Sequence, residues 1–229
     1  MSQPVSPSLD HEHDMGIESI HESYVKSQRL TVLADHFAEL IPDQSTVLDV
    51  GAGDGGLAAA IIARKPTLTF KGIDTLVRED TGIPVEHFDG RTIPSENDTT
   101  DYVLFSDVLH HTEDPMILLR EAARVARQGV MIKDHLVRGL LARPTLRFMD
   151  EVGNRRFGVK LPHNYWRPKQ WDAAFEELRL ERKEYRTQLG LYPMWANWCF
   201  GRGLHFITRL ELKESTASQH ADRSVALSD

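Results

Sequence analysis

A glycine-rich turn is the part of the sequence best suited to binding a ligand. Gly51, Gly53 and Gly56 follow the pattern G-x-G-x-x-G, directly after the apolar stretch TVLDV and directly before an Ala-rich stretch. Residues without side chains let the backbone approach a ligand closely, and the N–H groups that start the following helix face it. The pattern predicts a nucleotide-binding turn, with a tight strand–helix turn that binds nothing as the alternative.

Two acids flank this turn and bear on which nucleotide it binds. Asp49 precedes Gly51 by two residues, and Asp54 stands at the predicted entrance of the helix. An NAD site places a pyrophosphate against the helix N-terminus, where these carboxylates would repel it. The same carboxylates would attract an ammonium group and a sulfonium. We therefore expect the ligand to be S-adenosylmethionine, a nucleoside that carries a cationic amino acid and no phosphate.

Three histidines are candidates for a general base. His111 follows the fourth predicted strand, His135 follows the fifth with Asp134 beside it to orient it, and His163 lies in LPHNYW. Ligands of open α/β sheets bind at the carboxyl ends of the strands, and histidine is easily poised for proton transfer near neutral pH. The sequence predicts that one of the three contacts the substrate, without fixing which; a purely structural hydrogen bond is the alternative for each.

These residues lie within a regular alternation of predicted strands and helices. One helix is expected over 17–40, a second over 54–65 and a third from residue 114. Such alternation predicts a mostly parallel sheet covered by helices on both faces. The predicted strands are TVLDV (46–50), LTFKGID (68–74), PVEHF (84–88), DYVLFSD (101–107) and GVMIKD (129–134).

The third helix has recognisable end signals. Asp114 is typical of an N-cap, and Pro115 is typical of the first helical position, where its missing N–H is harmless. Arg124 and Arg127 are expected in the last turn and Gly129 just beyond it, because basic side chains suit the negative end of a helix.

The C-terminal part completes the predicted fold. A helix is expected from Pro168 to about Leu178, followed by strands over 179–189 and 204–212. Their link is too short for a parallel crossover with a helix, so they should pair antiparallel. The sequence thus predicts an α/β, Rossmann-like fold with a seven-stranded, mostly parallel sheet, an antiparallel C-terminal strand pair and helices on both faces. We expect a flexible arm over 1–15, a single domain over 16–212 and a flexible tail over 213–229.

The motifs VLDVGAGDG, GID, EHFDG and DYVLFSDVLHHTEDP resemble those of class I, type 11 S-adenosylmethionine-dependent methyltransferases. The similarity covers roughly residues 45–135, and the antiparallel strand pair fits the fold of that family. The resemblance implies methyl transfer from S-adenosylmethionine and says almost nothing about the acceptor.

The resemblance also implies a role for individual residues. The two glycines of the turn pass under the methionine part of the cofactor, and Asp49 accepts hydrogen bonds from the turn or from the cofactor amine. Asp74 holds both ribose hydroxyls, Asp89 accepts from the adenine amine, and Ser106 lines the methionine side. A solvated loop carboxylate is the alternative for Asp74, and an ordinary turn is the alternative for Asp89. Members of the family place polar residues at the position of His111.

Two segments are expected to cover the substrate and to indicate its chemistry. Residues 138–169 hold six Arg and two Lys against Asp150 and Glu151, which favours an anionic acceptor unless they form a solvated helix face. Residues 189–202 carry no charge before Arg202 and are rich in Trp. This composition favours a hydrophobic acceptor or contact with a membrane surface. The alternative is that the segment packs on the edge of the sheet. Together they indicate a small-molecule or lipid-like acceptor.

Composition excludes several other classes. The net charge of −7 argues against a nucleic-acid partner, and the single Cys199 excludes a disulfide or a CxxC site. No metal is expected, because HEH at 11–13 lacks a further ligand at fixed spacing. The N-terminus does not resemble a signal peptide, and the longest uncharged run falls short of the ~20 residues of a membrane helix, so a cytoplasmic protein is expected.

The sequence therefore predicts an S-adenosylmethionine-dependent methyltransferase that acts on a small or lipid-like acceptor, at oxygen. Two alternatives from other classes are a catalytically silent binding module and an NAD-dependent oxidoreductase. The acids at the turns that follow the strands argue against both alternatives. A module that binds no ligand would not need these acids, and they would repel the pyrophosphate of NAD.

Overall fold

The computed structural model describes residues 27–154, 162–192 and 203–213 of the 229-residue chain. Within them seven strands form one sheet. In chain order they are β1 (Thr46–Val50), β2 (Thr69–Asp74), β3 (Val85–His87), β4 (Thr100–Ser106), β5 (Ala126–His135), β6 (Leu180–Arg186) and β7 (His205–Leu212). The strand order across the sheet is β3-β2-β1-β4-β5-β7-β6.

Strands β1 to β5 run parallel, and β7 pairs antiparallel with both β5 and β6. The predicted Rossmann-like, mostly parallel sheet with an antiparallel C-terminal pair is confirmed. The helices are α1 (described over 27–40), α2 (Gly56–Arg64), a single 3₁₀ turn (Leu109–His111), α3 (Pro115–Val125), α4 (Ala142–Asn154) and α5 (Pro168–Glu177).

Alternate residues of the central strands face opposite sides of the sheet and enter two separate cores. Leu104 of β4 packs in one core with Phe37 of α1 and Ile61 of α2. Its neighbour Phe105 packs in the other core with Leu119 of α3 and with residues of α5. Because side chains alternate along a strand, helices on both faces bury the strand completely.

The sheet topology opens a crevice where the glycine turn lies. β1 has β2 on one side and β4 on the other. The chain extends the sheet in one direction through β2 and β3 and then in the other through β4 and β5. Loops at the carboxyl ends of β1 and β4 therefore separate, and such a switch point is where open α/β sheets bind ligands.

The structure corrects the predicted end of α3. The helix ends at Val125, so Arg127 and Gly129 lie in β5 rather than at the helix end. A Cβ atom at Gly129 would lie 1.9 Å from the carbonyl oxygen of Leu210. The glycine is needed for the close approach of β5 and β7, and not as a helix stop. The N-cap was predicted correctly, since Asp114 Oδ1 accepts from the Met116 N–H at 2.9 Å.

One further prediction needs correction, and one element was not predicted. The strand expected over 179–189 ends at Arg186, and Leu189 and Leu191 are buried in the core beside α1. Helix α4 was not predicted as an element. The predicted arm, Cys199, the HEH sequence and the tail beyond residue 213 lie outside the described residues. No helix that the structure describes is long and apolar enough to cross a membrane.

Candidate active site

The glycine turn after β1 adopts a backbone conformation that disfavours side chains. Gly51 and Gly53 have φ angles of +76° and +61°. A Cβ atom at Gly51 would lie 2.5 Å from Cγ2 of Val108 in the segment that follows β4. Glycine is therefore required both by the φ angle and by the close approach of these two segments.

A cavity of about 580 Å³ lies at this turn. Its wall includes Gly51, Asp74 at the end of β2, and Val108 and His111 after β4. Apolar side chains, among them Phe88, Ile117 and Leu118, also line it. The volume lies within the usual range for small-molecule and cofactor sites, which combine apolar walls with a few polar groups.

Asp74 fixes the turn and also faces the cavity. Its Oδ2 accepts from the N–H of Gly53 at 2.8 Å, and its Oδ1 accepts from the N–H of Leu76 at 2.9 Å. Each carboxylate oxygen has a second lone pair that remains available. Asp74 thus has acceptor capacity toward a ligand with hydroxyl groups.

Asp49 lies buried in β1 next to the turn. Burial, and then the negative charge of Asp74, raise its pKa to about 7. The described part of the chain supplies no hydrogen bond to its side chain. A cationic group bound beside it would favour its ionised form.

The remaining predicted cofactor residues, Asp54, Asp89 and Ser106, are not part of the described cavity wall. Asp54 Oδ1 accepts from the Gly56 N–H at 3.0 Å, and its Oδ2 lies 3.5 Å from Nη1 of Arg78. Asp89 is exposed, and the N–H groups of Thr92 and Arg91 that bind its Oδ1 lower its pKa. The two residues next to Asp89 in the chain, Phe88 and Gly90, line the cavity wall instead. Ser106 is the last residue of β4 and is not in the wall.

A buried polar cluster lies behind the cavity, centred on His110. The Nδ1–H of His110 donates to Asp134 Oδ1 at 2.7 Å, and Nε2 lies 3.5 Å from Oδ2 of Asp150 in α4. Burial by itself would lower the pKa of His110, but the carboxylates of Asp134 and Asp150 raise it to about 10. His110 is therefore an imidazolium at neutral pH.

Asp134, near the end of β5, connects this cluster to the backbone. Its Oδ2 accepts from the N–H of Leu109 at 3.1 Å, and its Oδ1 also accepts from the N–H of His135 at 2.6 Å. Burial would raise its pKa, but the charge and hydrogen bonds of His110 and His135 hold it well below its usual range. Nδ1 of the His135 ring, which the sequence pairs with Asp134, lies 3.5 Å from Oδ1, and the closer contact of Asp134 is with the ring of His110.

His111 is the one predicted base that the structure places in the cavity wall. Burial and the charge of His110, whose ring centroid is 3.9 Å away, lower the pKa of His111 to about 4. Its Nδ1 is buried and has no hydrogen-bond partner among the described residues. His111 is thus a neutral imidazole next to the cavity.

The other two candidate bases flank His110 away from the described wall. His135 is buried with its Nδ1 3.2 Å from Nδ1 of His110, and burial lowers its pKa. His163, with φ of +52°, places its Nδ1 3.2 Å from the hydroxyl of Tyr165. That hydroxyl donates to Asp150 Oδ2.

Sequence reasoning missed the central position of His110 and the roles of Asp150 and Tyr165. Asp150 and Tyr165 reach His110 from segments distant in sequence, and no local pattern marks them.

Nitrogen and oxygen atoms of His110, His111 and Asp150 lie within 4.8 Å of one another, a spacing that suits a divalent cation. The imidazolium of His110 already supplies the positive charge at that position.

A second buried group ties α1 to the same edge of the sheet. Lys133 is fully buried in β5 and donates to Asp107 Oδ1, while Nη2 of Arg29 donates to Asp107 Oδ2 at 3.0 Å. Burial lowers the pKa of Lys133 to about 8. Nearby, the hydroxyl of Tyr192 lies 3.3 Å from Nε2 of His205. Residues 193–202 of the predicted Trp-rich cover lie outside the described residues.

Comparisons with known proteins show which proteins the chain resembles in sequence and in fold. A family model described as a methyltransferase domain matches residues 24–214. An uncharacterized methyltransferase of Mycobacterium sp. (strain KMS) is 35% identical over 98 residues, which is 40% of this chain and 38% of the length of that relative.

Two solved structures illustrate the similarity of the fold. A Haloferax volcanii methyltransferase, solved in complex with a methyltransferase activator, superposes with a TM-score of 0.61 at 15% identity, covering 93% of this chain and 100% of that one. Geranyl diphosphate methyltransferase in complex with SAM superposes with a TM-score of 0.61 at 13% identity, covering 80% and 85% of the two chains. At these identities the likeness concerns the fold alone.

The Asp134–His110 pair generates a stability prediction. Asp134→Asn keeps the shape of the side chain but leaves the imidazolium of His110 without its nearest counter-charge. Breaking a buried ion pair costs ~3–5 kcal/mol, so we expect the free energy of unfolding in urea to fall by about that amount. Asp172→Asn, which removes an exposed pair with Arg182, is the control and should cost less than ~1 kcal/mol. Equal effects of the two substitutions would contradict the buried pair.

Proposed function

The chain belongs to the methyltransferase-domain family, and we propose that it transfers a methyl group from S-adenosylmethionine to a hydroxyl oxygen of an amphiphilic, anionic small-molecule or lipid-like acceptor. One observation carries the proposal. A single cavity is bounded by the glycine turn and Asp74 on one part of its wall and by the neutral imidazole of His111 on another. Cofactor-binding groups and a proton acceptor therefore face the same space.

The residues present fit S-adenosylmethionine. The absence of a Cβ atom at Gly51 keeps the backbone against Val108 and leaves the turn open toward a ligand. Free lone pairs of Asp74 suit the ribose hydroxyls, and buried Asp49 suits the ammonium group of the methionine part. Phe88 offers an apolar wall for the adenine. When bound, the cofactor supplies a methyl group already activated on a sulfonium.

Because the methyl group is activated, the protein chiefly aligns the acceptor and takes up a proton. Held by the glycine turn, Asp49 and Asp74, the sulfonium would supply the methyl group to the acceptor oxygen and would leave as a neutral thioether, so the proton of the acceptor hydroxyl would be the only one left to take up. The hydroxyl proton passes to His111, which is neutral at pH 7 because it is buried beside charged His110. His135 and His163 are the alternative acceptor contacts that the sequence offers; His135 contacts His110, and His163 lies near Asp150.

The nature of the acceptor rests on the segments around the cluster. In helix α4, exposed Arg147 and Arg143 precede buried Asp150 by about one and two turns, so the basic segment adjoins the His110 cluster. Guanidinium groups bind carboxylate and phosphate well, which favours an anionic acceptor. The apolar side chains of Ile117 and Leu118 in the cavity wall favour an apolar part of the acceptor.

The cofactor is tested by titration calorimetry. We expect S-adenosylhomocysteine to bind and NAD not to bind, because carboxylates around the turn disfavour a pyrophosphate. Asp74→Ala removes charged acceptors and should weaken S-adenosylhomocysteine binding by ~1–3 kcal/mol, roughly fivefold to 150-fold. Asp80→Ala in the same loop makes the same charge change and should leave the affinity unaltered. Tighter binding of NAD would indicate an oxidoreductase, and binding of neither ligand would indicate a silent module.

The proton acceptor is tested by NMR of the imidazole nitrogens. Between pH 6 and pH 8 we expect His111 to stay neutral and His110 to stay doubly protonated, since their pKa values are about 4 and about 10. On lowering the pH, His111 becomes protonated only near pH 4. His111→Gln and His110→Gln assign the two signals. A His111 signal that shows a doubly protonated ring between pH 6 and pH 8 would remove it from the proposed role, because an imidazolium cannot accept the hydroxyl proton.

The transfer itself is tested with radiolabelled S-adenosylmethionine and a panel of hydroxylated fatty acids and aromatic acids. We expect label in an ether that resists mild base, because the hydroxyl oxygen accepts the methyl group. His111→Ala should lower the rate by ~10²–10⁴ without loss of S-adenosylhomocysteine binding. Label in a base-labile ester or on nitrogen would contradict O-methylation at a hydroxyl.

A further inference from the structure

Helix α4 and the residue pair before it expose large apolar side chains to solvent. Leu140 is 100% exposed, Leu141 is 64% exposed and Phe148 is 58% exposed. Leu141 directly precedes α4, its carbonyl oxygen accepts from the Thr145 N–H, and Phe148 lies seven residues further on, about two helical turns along α4. Exposed apolar groups clustered in this way mark an interaction surface rather than scattered surface residues.

Three arginines are interleaved with these apolar side chains. Arg138, Arg143 and Arg147 are exposed, and within the described ranges none has a carboxylate at ion-pair distance. Most other surface arginines of the described chain are paired, for example Arg120 with Glu177 and Arg182 with Asp172. Helix α4 also carries Asp150 and Glu151, but Asp150 is buried against the His110 cluster, so the charged side chains that the helix exposes are Arg143, Arg147 and Glu151.

We propose that this apolar–basic face (Leu140, Leu141, Arg143, Arg147 and Phe148) binds the surface of a membrane that contains anionic lipid. Amphipathic helices of this composition lie in the interface with apolar side chains among the acyl chains and basic groups at the phosphates. Arginine suits this position because its aliphatic stem packs on apolar surface while the guanidinium stays in the headgroup layer. A free phosphate would satisfy the arginines but not the exposed leucines and Phe148.

The opposite face of α4 connects this surface to the candidate active site. Ala142 and Leu146 are buried in a small core with Tyr165 and Leu204. One turn beyond Leu146, Asp150 contacts Tyr165 and faces His110. A lipid-like acceptor would therefore enter close to the His110 cluster. This consequence rests on the proposed function, whereas membrane binding itself does not.

Co-sedimentation of the full chain with vesicles tests the proposal. We expect binding to vesicles of phosphatidylcholine with phosphatidylglycerol, weaker binding to pure phosphatidylcholine, and a loss of binding as salt rises. The double substitution Arg143→Gln with Arg147→Gln should lower the partition coefficient about thirtyfold, at ~1 kcal/mol for each basic residue. Leu141→Ser with Phe148→Ser should also lower it, because both apolar groups are removed.

The controls separate this surface from net charge and from the cofactor site. Arg120→Gln with Arg127→Gln makes the same change in net charge elsewhere on the protein and should leave the partition coefficient within about threefold. All variants should bind S-adenosylhomocysteine like the unmodified chain, which checks folding independently of the membrane.

Several results would overturn the inference. The first is that the chain does not bind anionic vesicles. The second is that the control variant loses as much binding as the α4 variants, and the third is that the α4 substitutions leave vesicle binding unaltered. A dimer in analytical ultracentrifugation that Leu141→Ser with Phe148→Ser dissociates would assign the face to a second copy of the chain instead. Failure of S-adenosylhomocysteine to bind would overturn the proposed function and leave the membrane result standing.

Discussion

The carboxylate of Asp134 is the group on which the arrangement of the candidate site depends. It binds the ring of His110 and the backbone N–H groups of Leu109 and His135, so it holds the turn after β4 against the end of β5. Burying a carboxylate is costly unless a positive charge and hydrogen bonds compensate for it. For Asp134 the charge and one hydrogen bond come from His110, and a second hydrogen bond comes from the adjacent Leu109. Any movement of the turn that presents His111 would leave this carboxylate unsatisfied.

The charge on His110 links the structural cluster to the proposed chemistry. Asp134 and Asp150 keep His110 protonated, and that positive charge in turn keeps the adjacent His111 neutral. Two neighbouring histidines thus have opposite protonation states at pH 7 because their surroundings differ. Pairs of titratable groups with separated pKa values are typical of sites that move protons.

Strand positions and the glycine turn were predictable because local patterns encode them. Apolar runs between turn residues marked the strands of the sheet, and the predicted class I methyltransferase resemblance is confirmed at the level of the methyltransferase domain. The end of α3 was misjudged because Gly129 serves the packing of β7, a strand about eighty residues later in the chain.

The sequence by itself determined the sheet, the glycine turn and the acids that favour a cationic nucleoside, since each depends on residues near one another in the chain. Only the tertiary structure decided that Asp134 serves His110, that Asp150 and Tyr165 complete the cluster, and that His111 alone among the predicted bases lines the described cavity wall. These relations join β5, α4 and the segment before α5 across the fold. A pKa or a cavity wall depends on distances in space, and no local pattern of residues specifies those distances.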